Sequence, residues 1–366
     1  MLDDTLLADP RALAALDTGG VLRAVATAGA QVRSAAQGAL DAGIGDLRGH
    51  RHRALVLLRR PGAAVSAVAM LGAMLGPECP VPVVPADGAP SWIGPLDVLV
   101  AHTADGTDVE LADAVGLAVR RGAEVVLAAP ADGPVASAGA GRARLVEPRI
   151  PVPPGLDLPR ALAVGLATIA ALDLLPAPLD PALELLADQL DAEAERNQLG
   201  HEPFMNPAKT LALRLADHTP LLWGTDRLAA AVAAHGVTAL ATHAGVVAHA
   251  ADIGSAALAT ALVRVLDADE RDVFHDPFAD ADDGSGATGP PARLVLLATD
   301  EDDPGRVTLR RTGREWPAGD LLHPVEEVPR GTAHAAVLRA ALLASRLDAA
   351  AVYLGMATRV TTTEPA

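Results

Sequence analysis

The sequence predicts an α/β protein of two halves, each a parallel sheet with helices on both faces in three α-β-α layers. Three observations predict it. Short apolar runs such as "ALVLL" at 54–58 and "DVLVAH" at 97–102 read as strands buried on both faces. Stretches of helical length lie between such runs, and strand, helix, strand in that rhythm is a βαβ unit. The same alternation resumes beyond a proline-rich stretch, "PRIPVPPGLDLP" at 148–159, which reads as a boundary.

Each element follows in order. Asp9 to about Leu40 has helical spacing through Leu13, Leu16, Val21, Leu22 and Val25, and Gly43–Arg51 breaks it. Ala54–Leu58 is the first strand, Ala63–Leu75 a buried helix, Val81–Val84 a short strand and Asp97–His102 the next strand. Asp108–Arg121 is a helix with Gly122 placed as its C-cap, and Ala123–Ala129 is the strand after it. Arg160–Leu175 and Asp180–Asn197 are helices, the second started by Asp180-Pro181. Met205–His218 is another, with Asn206 as N-cap and Pro207 at its first position. Pro220–Thr225 and Arg293–Thr299 are strands, His334–Leu347 is a helix, and "AAVYLGMA" is a final strand or helix. Ala279–Pro291 is low-complexity and reads as a loop. The chain thus divides into an N-terminal helical segment 1–44, a first α/β domain 45–150, linker helices 151–205 and a second α/β domain 206–366.

Composition narrows the function. The 366 residues suffice for two domains, half are hydrophobic and 2% are aromatic, so the cores are Ala, Leu and Val. A net charge of −17 argues against a nucleic-acid or anionic-membrane partner. The single cysteine, Cys79, rules out an internal disulfide and fits a reducing compartment. The start of the chain, MLDDTLLADP, lacks a basic-then-apolar signal pattern. The long uncharged run Leu228–Ala251 contains His235, His243 and His249, which a membrane span would not tolerate well. A cytoplasmic protein is expected.

In an open parallel sheet, ligands bind beyond the carboxyl ends of the strands, where helix N-termini attract anions. The junction His102-Thr103-Ala104-Asp105-Gly106-Thr107 is therefore a candidate anion site. Gly106 permits close backbone approach and Thr107 offers a hydroxyl. The plainer alternative makes Gly106 a turn residue and Thr107 an N-cap. Asp105 stands where a phosphate would want no carboxylate. Neither a G-x-G-x-x-G nor a G-x-x-x-x-G-K-[ST] follows a strand, which excludes the ordinary nucleotide sites, and no cofactor is expected. His235, His243 and His249 lack the i, i+4 spacing of a zinc helix, so no metal is expected either.

The junction, its βαβ context and "NQLGHEPFMNPAKTLALRLADHTPLLWG" at 197–224 resemble the sugar-isomerase (SIS) domain proteins, in particular the bifunctional phosphoglucose/phosphomannose isomerases. The 197–224 block follows the family's N-x-x-G…N-P-A-K-x-L-A…P-x-x-Y-G pattern. The resemblance implies two SIS halves, a hexose 6-phosphate ligand, a homodimer and aldose–ketose interconversion. The family's phosphate loop, S-x-S-G-N-T-E-E, aligns with His102–Asp108: Thr107 and Asp108 match, while His102 and Ala104 replace the serines. "LPRALAVGL" at 158–166 suggests that Arg160 corresponds to an active-site arginine. "VFHDPF" at 273–278 makes His275 the counterpart of a ring-opening histidine. "DAAAVYLGMA" at 348–357 resembles the family's last element.

The departures bear on chemistry. Isomerisation needs a base to move a proton between C1 and C2. The family's glutamate position falls in Thr238–Gly245, where Thr242 or His243 stands instead, and no carboxylate lies between Asp226 and Asp252. Arg359 is the only base after Arg346, where the family carries a lysine. Arg59-Arg60-Pro61-Gly62 replaces a glycine-rich loop. The expected substrate-binding residues are thus His102, Gly106, Thr107 and Arg160, and the catalytic candidates are His243 and His275. Plainer roles stand beside these: a buried histidine at 243, a turn at His275-Asp276, and a helix-positioning role for Lys209, the only lysine. The preferred reading is a phosphosugar-binding protein that has lost isomerase chemistry. The alternatives are an active glucose-6-phosphate/mannose-6-phosphate isomerase with a rebuilt site, and a non-catalytic scaffold.

Overall fold

The computed structural model describes residues 4–175, 182–271, 290–316 and 318–358. The chain forms two compact units, one of residues 20–195 and one of residues 1–19 with 196–366. The helices Leu158–Ala171 and Ala182–Arg196 fall, up to residue 195, in the first unit rather than standing apart as a linker.

The first unit holds an all-parallel sheet in the order β2-β1-β3-β4-β5, with β1 Ala54–Leu58, β2 Val83–Ala86, β3 Asp97–His102, β4 Glu124–Ala128 and β5 Arg144–Val146. Every residue of β1 and β3 is buried, as strands covered on both faces require. Strand side chains alternate between faces. Val56, Leu58, Leu99, Ala101, Val125 and Leu127 form one core with Leu111, Ala114, Val115 and Ala118 of the Val109–Arg120 helix. The Ala63–Leu75 and Leu158–Ala171 helices pack against each other and against β1, β3 and β4.

The second unit holds a four-stranded parallel sheet in the order β7-β6-β8-β9, with β6 Thr219–Gly224, β7 His249–Asp252, β8 Ala292–Leu297 and β9 Asp320–Leu322. Trp223 and Trp316 meet edge to face in its core, ring centroids 5.6 Å apart. The Arg227–Ala244 and Pro207–Leu215 helices pack on one long helix, Ala335–Ala357. The segment read as a helix to Leu347 and then a strand or helix is this single helix, and it is buried almost throughout.

Three other expectations change. The helix expected over Asp9–Leu40 is broken into Pro10–Leu16, Val21–Ala26 and Ala28–Asp41. Gly20 supplies a left-handed turn at φ 63°, and the division between the units falls at residues 19 and 20. The uncharged run Leu228–Ala251 is a helix and then β7, and no described helix is long and apolar enough to cross a membrane. The short edge strands β5, β7 and β9 were not anticipated, because three or four half-buried residues carry no periodic signal. His275, Asp180-Pro181, the acidic run 280–283 and Arg359 lie outside the described residues.

Candidate functional site

The junction after β3 begins the Val109–Arg120 helix, and its polar groups are taken up by its own carboxylates. Asp108 is the N-cap and accepts from the Leu111 N–H. Arg60 grips both Asp108 oxygens at 2.7 and 2.8 Å and reaches Glu110 at 3.0 Å. Burial works against the Asp108 charge, yet Arg60 and the backbone hydrogen bond hold its carboxyl below the usual range. Asp105 turns back on its loop and accepts from the Thr107 hydroxyl at 2.6 Å and the Thr107 N–H at 2.8 Å. Those hydrogen bonds hold its carboxyl low as well. A carboxylate thus sits on the donors that a phosphate would use.

Gly106 is explained by packing. A Cβ there would meet the Asp132 carbonyl oxygen at 2.5 Å, and Val135 donates its N–H to the Gly106 carbonyl. Gly133 lies against the same carbonyl. The 103–107 loop and the 130–135 loop are pressed backbone to backbone. Arg59 pairs with Asp87 at 3.0 Å, so of the arginines at 59, 60 and 160 only Arg60 reaches the start of this helix.

His102 and Arg160 do come together, through a residue that the sequence reading missed. His102, the last residue of β3, contacts Asp157 Oδ2 through Nε2 at 2.6 Å, and Arg160 donates to the same oxygen at 3.1 Å. All three side chains are buried, at 7%, 2% and 6% exposure. Burial pushes the His102 imidazolium down, so the ring is neutral at pH 7 and its Nε2–H donates. Burial also opposes the Asp157 charge, and the His102 hydrogen bond with the Arg160 charge overcomes it. His102 Nδ1, Asp157 Oδ1 and Arg160 Nε have no hydrogen-bond partner among the described residues. Asp157 precedes Arg160 by three residues at a helix start, and that spacing was the available signal.

In the second unit the junction after β6 is closed in the same manner. Asp226 caps the Arg227–Ala244 helix through the Ala229 N–H and also accepts from the Thr299 N–H, the Thr299 hydroxyl and the Asp300 N–H. Arg339, wholly buried, donates to the carbonyls of Thr299, Asp300 and Val328 and pairs with Glu301 at 3.1 Å. His243 lies half-buried on the last turn of the Arg227–Ala244 helix with Thr242 exposed beside it, and burial pushes its imidazolium down. On the same helix, buried His235 meets Asp348 at 2.9 Å. Burial opposes its charge, but Asp348 prevails and raises the imidazolium above the ordinary range. Among the described residues, no three His, Cys, Asp or Glu side chains converge as metal ligands.

The N-P-A-K block has a structural explanation. Asn206 caps the Pro207–Leu215 helix, and Asn197 accepts from the Ala208 N–H. Lys209 is wholly buried and donates to the Leu199 and His201 carbonyls at 2.8 and 2.9 Å, with its ammonium 5.5 Å from the centre of the Tyr353 ring. Tyr353 donates to the Asn197 carbonyl, and burial pushes its phenol up to about 12. Lys209 positions a loop and helix, as the plainer reading held.

Comparison with known proteins agrees with this architecture. Residues 204–364 match a family model described as the bacterial phospho-glucose isomerase C-terminal SIS domain. No curated protein matches the sequence. Among solved structures, a candidate phosphosugar isomerase from Silicibacter pomeroyi is 14% identical with a TM-score of 0.59, over 93% of this chain and 98% of that one. A candidate phosphosugar isomerase from Bacillus subtilis is 15% identical with a TM-score of 0.57, over 90% and 94%. Tagatose-6-phosphate ketose/aldose isomerase from Escherichia coli is 12% identical with a TM-score of 0.55, over 92% and 90%. At these identities the structures establish the fold, and the family model supplies the sequence link. Residues 204–364 thus match an SIS domain, and the chain shares its fold with these solved structures over about nine-tenths of its length.

Proposed function

We propose that this chain is a phosphosugar-binding SIS protein of hexose phosphate metabolism that works without aldose–ketose isomerase chemistry. The observation that supports binding is the His102–Asp157–Arg160 cluster. It leaves two acceptors and one donor unmet among the described residues, all buried at the carboxyl end of the first sheet. A sugar hydroxyl both donates and accepts, so it suits that set. The ligand's phosphate would take the Thr107 donors in place of Asp105, which is exposed and held only within its own loop.

The loss of chemistry is supported by the proton-transfer position. The helix that carries residues 238–244 bears no carboxylate, and its titrating group there is a neutral, half-buried imidazole at His243. The second reading, a fold-only scaffold, is favoured by Asp226, whose carboxylate fills the second junction with four donors.

A thermal-shift titration with glucose 6-phosphate, mannose 6-phosphate and fructose 6-phosphate, followed by a coupled isomerase assay, separates these. We expect stabilisation without turnover. Asp105→Asn removes the competing charge and is expected to tighten binding by about three- to tenfold. Stabilisation by none of the three sugars, in the wild type and in Asp105→Asn, would leave the scaffold. Turnover lost in His243→Ala or His275→Ala would establish a rebuilt isomerase instead.

A further inference from the structure

We infer that the first unit carries a second binding site, for a small organic oxyanion, at the end of its sheet opposite the His102 junction. A cavity of about 180 Å³ lies against the amino ends of β1 and β2. His50, Arg51, His52 and Asp173 line it, and Ala54, Leu55, Pro80, Val81, Leu172 and Leu174 make its apolar wall. The volume exceeds that of a benzene-sized cavity, about 150 Å³, so it takes a ligand of a few to about ten heavy atoms.

Charge decides the ligand class. The chain carries −17, yet residues 48–53, RGHRHR, hold three arginines and two histidines. Four other arginines flanking this sheet are spent: Arg53 on Asp97, Arg59 on Asp87, Arg60 on Asp108 and Arg144 on Glu124. Arg51 makes no ion pair or hydrogen bond among the described residues, and it faces the cavity beside two imidazoles whose rings stack at 6.1 Å. His52 spends its Nε2 on the Leu47 carbonyl at 3.4 Å, which leaves Nδ1 for a ligand. A guanidinium with adjacent imidazoles is an oxyanion receptor, and the apolar wall selects an oxyanion with a hydrocarbon part. Asp173 is the one carboxylate on the lining, and it weakens rather than abolishes the attraction.

Isothermal titration of the full chain with isovalerate and with inorganic phosphate tests the site. Isovalerate should bind more tightly than phosphate, because only it fills the apolar wall. Arg51→Ala should weaken binding by about tenfold or more, and Asp173→Asn should strengthen it. Arg48→Ala, an exposed arginine off the lining, should leave it unchanged. Equal binding in Arg51→Ala and wild type, or no heat with either probe, would overturn the proposal. Hexose phosphates that still bind in Arg51→Ala would show that the junction site is separate.

Discussion

Lys209 illustrates how a single charge becomes structural. Its ammonium is satisfied by two carbonyl dipoles and the face of Tyr353 rather than by a carboxylate. Burial accordingly holds its pKa below the ordinary lysine value. Replacing it with methionine keeps the volume but takes the ammonium donor away from two half-buried carbonyls. We expect Lys209→Met to lose about 2–4 kcal/mol, read as a lowered urea midpoint with an unchanged slope. If the lysine instead served a ligand, the midpoint would hold and only ligand binding would fall. The same scale explains Asp105: in the sequence it reads as a carboxylate that a phosphate would not want, and in the fold it accepts from the Thr107 hydroxyl of its own loop.

At the scale of elements, two buried histidines set opposite pH limits. His235 joins the Arg227–Ala244 and Ala335–Ala357 helices through Asp348, and its pKa is raised above 6.5 in the fold. Its contribution is therefore complete below the unfolded value of 6.5 and is lost as pH rises through the raised folded value. His102 joins β3 to the Leu158–Ala171 helix start and is lowered from 6.5, so stability falls as pH drops below that value. Urea midpoints across pH should show the wild-type advantage over His235→Gln shrinking toward alkaline pH. Two-unit melting does not spoil this reading if each transition is followed separately. An advantage that grows on the alkaline side would refute the pairing. Helix starts repeat one device in both units: Asp108 and Asp226 each cap a helix and also bind a second element, Arg60 in one case and the Thr299 loop in the other.

For the molecule as a whole, the family reading and the prevalence of two-fold assemblies make a homodimer the expected state. Light scattering on a sizing column should give twice the chain mass, and a monomer at all concentrations would remove the dimer from the functional reading. The strands, the helices between them and the two-half α/β plan were legible in the sequence because they rest on local signals. Apolar runs such as Ala54–Leu58, the cap at Asn206 and the left-handed glycine at Gly122, which at φ 78° follows the C-cap Arg121, each act over a few residues. The N-P-A-K block located the SIS half for the same reason. What only the tertiary structure decided is where the charges go. Asp157 meets His102 across 55 residues, Arg60 meets Asp108 across 48, and Asp348 meets His235 across 113. Electrostatic partnership depends on distance in space and on burial, neither of which residue order carries. The sequence by itself therefore determined the α/β class and the central strands with the helices between them. The fold decided that both junctions are closed by their own aspartates and that three unmet polar atoms cluster at His102, Asp157 and Arg160.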